Sequence, residues 1–94
     1  MHEIYIFKFG KGATKEFLEA QVTLAVIAVE CMSGKAAVRI GFRYAIKKEK
    51  DAVVMETGNA AGEAIVRVFT GLLIRAFGET RFKVEHNPKE PRHD

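Results

Sequence analysis

The chain has 94 residues, 48% of them hydrophobic and 29% charged, which is the size and composition of one compact globular domain rather than of a fibrous or disordered chain. Fifteen basic residues against twelve acidic ones leave a net charge of +3, enough for weak attraction to polyanions but far from the single-sign balance of a nucleic-acid tail. The single cysteine, Cys31, excludes an intrachain disulfide and any multi-cysteine zinc cluster.

Met1-His2-Glu3 has no basic region leading into a signal-type apolar run, so a cytoplasmic protein is expected. The richest apolar run, from Leu24 to Val29, is bounded by Thr23 and Glu30. It falls far short of the roughly 20 residues that span a bilayer, so no membrane segment is expected. A domain of this size buries a little over about 60% of its unfolded surface, so burial through self-association would add to a modest core.

From His2 to Phe9, Ile4 and Ile6 alternate with Tyr5, Phe7 and Phe9, which predicts a central strand apolar on both faces. Gly10-Lys-Gly-Ala-Thr14 breaks that pattern and offers Thr14 as a helix cap. Between Lys15 and Met32, Leu18, Val22, Ala25, Val29 and Met32 recur at helical spacing, with Phe17, Leu24, Ala28 and Cys31 in a second row. Val26 and Ile27 interrupt the polar stripe and would stay partly wet in an isolated domain, which suits contact with a partner. Gly34 ends the helix.

Val38, Ile40, Phe42, Tyr44 and Ile46 alternate with Arg39, Gly41, Arg43, Ala45 and Lys47, which predicts a half-buried strand over 38–47. A polar turn at Lys48 to Asp51 then makes a hairpin into a strand from Ala52 to Thr57. Asn59 caps a helix from Ala60 to Phe77 whose apolar side carries Ile65, Val66, Phe69, Leu72 and Leu73. Gly62 and Gly71 inside that helix point to close backbone packing, and Gly78 ends it. A last strand runs from Arg81 to His86.

The expected fold is therefore α+β, a ferredoxin-like βαββαβ arrangement with two helices packed on one face of a four-stranded antiparallel sheet. In that fold the strand order is fourth, first, third, second. One domain is expected over residues 1–86, with 87–94 as a flexible tail. Over Val54 to Glu63 the chain is similar to the strand-to-helix junction of microcompartment shell proteins, but the span is too short to assign that family.

No cofactor or metal is assigned. His2, His86 and His93 form no helical ligand pair, and Cys31 is expected as a packed thiol rather than a nucleophile. Glu56 is expected to pair with Arg43 or Lys83 rather than to act as a general base. Gly10, Lys11, Gly12 and Thr14 form a weak anion-site candidate that lacks the lysine position and spacer of a phosphate loop.

The stronger candidate is the sheet face away from the helices, with an apolar centre and basic margins, represented by Tyr5, Phe7, Arg39, Arg43, Val54, Arg81 and Lys83. RNA-recognition domains share this topology, yet Asp51 to Gly58 lacks the aromatic signature that their third strand carries. A small non-enzymatic, self-associating domain of assembly or regulation, a dimer or higher, is therefore favoured. The alternatives are a nucleic-acid-binding module using that face, and a regulatory domain binding an anionic metabolite at Gly10 to Thr14.

Overall fold

The computed structural model describes residues 2–10, 13–47 and 51–89. Four strands, β1 (His2–Phe9), β2 (Phe42–Lys47), β3 (Ala52–Thr57) and β4 (Phe82–Lys89), and three helices, α1 (Lys15–Ser33), α2 (Lys35–Gly41) and α3 (Ala60–Phe77), make an α+β fold. The strands form one open antiparallel sheet in the order β2-β3-β1-β4. Among the described residues no helix is long and apolar enough to cross a membrane.

The two long helices begin and end where local chemistry stops them. Thr14 Oγ1 accepts from Phe17 N at 3.1 Å to open α1, and Asn59 Oδ1 accepts from Gly62 N at 2.9 Å to open α3. Each satisfies one of the amides that a helix start leaves unpaired. Gly34 and Gly78, at φ of 86° and 84°, close them by donating to Glu30 O and Ile74 O. That left-handed backbone favours glycine because no Cβ meets the carbonyl.

The core lies between the sheet and one helix layer. Phe7, Val53 and Met55 rise from β1 and β3 to meet Leu18, Val22, Ala25 and Val29 of α1 and Ile65, Phe69 and Leu73 of α3. Phe7 is fully buried, with its ring edge-on to Phe69 at 4.9 Å. Full burial of such side chains contributes about 1.5–3 kcal/mol each, so this layer dominates stability.

The stretch 38–47 departs from the expected single strand. Lys35 to Gly41 is helical, and only Phe42 onward is extended. Val38 and Gly41 are buried while Ile40 is 79% exposed, a spacing of three that belongs to a helix turn and not to a strand. Asn59 Nδ2 donates to Ala37 O at 2.9 Å and Gly58 N donates to Gly41 O at 3.0 Å, which fastens α2 to the start of α3.

Two glycines permit that contact. A Cβ on Gly62 would lie 2.0 Å from Gly41 O, and one on Gly41 would lie 1.8 Å from Asn59 Oδ1. Gly71, by contrast, is exposed with nothing within 4 Å of where a Cβ would stand, so close packing explains Gly62 and not Gly71. At the other end of the chain β4 runs to Lys89, so residues 87–89, expected in the tail, are paired with β1.

Candidate functional site

The register decides what the open face of the sheet presents. Phe7 faces the helices, so alternation turns Tyr5 and Phe9 inward with it and leaves Ile4, Ile6 and Lys8 outside. Cross-strand pairing then sets three rows: Arg43, Glu56, Ile4 and Asn87; Ala45, Val54, Ile6 and Glu85; Lys47, Ala52, Lys8 and Lys83. The centre is aliphatic and one end is basic.

Several expected site residues are therefore relocated. Tyr5 and Phe7 are on the helix side and cannot serve the open face. Arg39 sits on α2, outside the sheet altogether. Arg43, Val54 and Lys83 do lie on the open face, and Arg81 precedes β4 at its basic end. Among the described residues no Phe or Tyr ring stands on that face; its one imidazole, His2, sits at one end, 3.7 Å from Glu56, so no row of stacking rings crosses it.

Glu56 lies directly opposite Arg43 and 3.7 Å from His2 Nδ1, at the edge of a cleft of about 270 Å³ that Gly41 and Ile40 also line. In the anion-site candidate, the Thr14 hydroxyl is taken up as the α1 cap, Gly10 is exposed, and Lys11 and Gly12 lie outside the described residues. Cys31, expected to be packed, is exposed on α1. Among the described residues no group of three or more His, Cys, Asp and Glu could hold a metal ion.

A polar cluster on the helix side escaped sequence reasoning. Tyr5 Oη donates to Glu63 Oε1 at 2.5 Å and Thr57 Oγ1 donates to Glu63 Oε2, tying β1 and β3 to the first turn of α3. Burial, and then the hydrogen bond to Glu63, hold the Tyr5 phenol well above its ordinary pKa, so it stays protonated and donating. His86 stacks on Tyr5 with ring centroids 4.3 Å apart, and its Nε2 lies 2.5 Å from Glu3 Oε1.

These groups satisfy one another, and Glu63, whose two oxygens are both engaged, cross-braces three elements. Its partners are 58 and 6 residues away in sequence, so no local pattern announces the cluster. The nearest sequence signal is Glu63 itself, an acid in the first turn of α3.

The outer face of α1 carries several exposed apolar side chains. Leu24 and Ile27 are 52% and 50% exposed, Met32 is 82% exposed, and Ala20, Ala28 and Cys31 stand uncovered beside them. Val26, expected partly wet, is half-buried, with one side packed against the core. The helix wheel puts Ala20, Leu24, Ile27 and Cys31 on one stripe opposite the buried Leu18, Val22, Ala25 and Val29. Comparisons with protein-family models, curated proteins and solved structures gave no match for this chain.

Proposed function

We propose that this chain is a cytoplasmic, ferredoxin-like βαββαβ domain, with the short α2 added ahead of its second strand, whose role is assembly or regulation rather than catalysis. It self-associates by pairing the outer face of α1 with the same face of a second copy. The observation that carries this reading is the uncharged stripe Ala20, Leu24, Ile27 and Cys31, with its two large members half exposed. Such a patch on a small domain marks a protein contact.

The stripe is self-complementary. Laid antiparallel about a two-fold axis between residues 25 and 26, Leu24 meets Ile27 and Ala20 meets Cys31. The small residues allow helix axes to approach to about 8–10 Å. The open sheet face, first expected to be the interface, is the weaker candidate because its apolar residues Ile4, Ile6 and Val54 are half buried among charged neighbours.

Light scattering across a dilution series tests the reading. The wild type is expected at dimer mass at micromolar concentration, and Leu24→Asp at monomer mass with its circular dichroism unchanged. A wild type that stays monomeric at every concentration would refute self-association.

A further inference from the structure

The basic end of the open sheet face has an arrangement that folding alone does not favour. Lys8 and Lys83 are directly opposite each other in the β1–β4 register. Like charges in that relation destabilise a sheet. Lys8 is met by Glu85, its Nζ 2.7 Å from Oε2. Among the described residues neither Lys83 nor Arg81 has a carboxylate within ion-pair distance.

Lys8, Lys83 and Arg81 line one cleft of about 240 Å³, together with Thr80 and Gly10. The cleft thus gathers a guanidinium, two ammonium groups and a hydroxyl around a space of small-molecule size. Among the described residues a Cβ at Gly10 would meet nothing within 4 Å. Locally unfavourable charge that surrounding structure tolerates is a mark of functional sites.

We propose that this cleft binds a phosphomonoester group of a small ligand. Arg81 supplies the planar fork that matches two phosphate oxygens, Lys83 and Lys8 supply point charges, and Thr80 donates a further hydrogen bond. The bound dianion relieves the Lys8–Lys83 repulsion. A polynucleotide is a poorer occupant, because the rest of the open face carries aliphatic Ile4, Ile6 and Val54 where stacking rings would be needed. The site is independent of the α1 contact, which lies on the opposite layer.

Calorimetric titration with ribose 5-phosphate, with ribose, and with a short single-stranded RNA lacking a terminal phosphate tests the assignment. Ribose 5-phosphate is expected to bind and ribose not to. Arg81→Gln is expected to weaken binding by at least about ten-fold, and Arg81→Lys by less, because losing a charge-assisted bond has that scale. Lys47→Gln, on the same row but outside the cleft, should leave affinity within about two-fold.

Circular dichroism of the exposed-site variants establishes that they fold. No binding of ribose 5-phosphate to the wild type at millimolar concentration overturns the proposal. So does an equal loss in Lys47→Gln and Arg81→Gln, which would mean diffuse charge, or tighter binding of the RNA than of the sugar phosphate with a steep salt dependence.

Discussion

The outer face of α1 and the open face of the sheet are the two broad surfaces of this two-layer domain, and they treat apolar exposure in opposite ways. On the sheet, Ile4, Ile6 and Val54 are half buried, and Arg43, Lys8, Lys83 and Glu85 stand in the same and adjacent rows. Long charged side chains cover apolar neighbours with their stems while keeping their heads in water. On α1, Leu24 and Ile27 are flanked by Ala20, Ala28 and Cys31, which are too short to cover anything. Ile4, Ile6 and Val54 of the sheet face are half buried, whereas Leu24 and Ile27 of the helix face are half exposed or more.

The sharpest break of this comparison uses adjacent residues of β1. Phe7→Asp places a carboxylate in the core and removes a ring whose truncation alone costs about 3–5 kcal/mol, so loss of cooperative unfolding is expected. Ile6→Asp, on the open face, is expected to cost about 1 kcal/mol. Chemical denaturation compares them, and equal losses would mean that the strand faces are reversed.

A second pair tests the frame on which both faces rest. Gly62→Ala drives a Cβ toward Gly41 O and is expected to cost about 1–3 kcal/mol or more. Gly71→Ala meets nothing and should stabilise by about 0.5–1 kcal/mol through helix propensity. Thermal unfolding of the two proteins should shift in opposite directions.

These residues also show how far the chain could be deciphered before its structure. β1, β3, α1 and α3 follow their hydrophobic periods and caps, because each buries one continuous face against a single layer. The alternation from Val38 to Ile46 misled because a tertiary contact overrides it. Gly41, Gly62 and Asn59 form a seat that holds 35–41 as a helix, and their spacing in sequence conceals that they meet.

Tyr5 and Phe7 illustrate the other gap. A strand apolar on both sides fixes its own alternation but not which set faces the helices. That choice was made by Phe69 and Glu63, far along the chain.

A smaller effect is expected from Tyr5→Phe, which removes one donor to Glu63 and should cost about 0.5–1.5 kcal/mol at neutral pH. Its pH dependence has a definite sign. The folded phenol pKa is raised, so the stability it supplies is present below the unfolded value near 10 and is lost as pH rises through the folded value. Denaturation on the alkaline side should therefore show a flatter decline in Tyr5→Phe than in the wild type.

The smallest effect is expected from Arg43→Glu, which sets a like charge opposite Glu56 at the rim of the open face. About 0.2–1 kcal/mol of destabilisation is expected in a urea titration, with no change of oligomer mass.

Sedimentation equilibrium of the wild type, Ile27→Asp and Ile6→Asp at one micromolar-range concentration sets one substitution on each face and tests the contrast between them most directly. The expected result is a dimer for the wild type and Ile6→Asp and a folded monomer for Ile27→Asp. A dimer that survives Ile27→Asp but dissociates with Ile6→Asp would place the contact on the sheet and contradict the account.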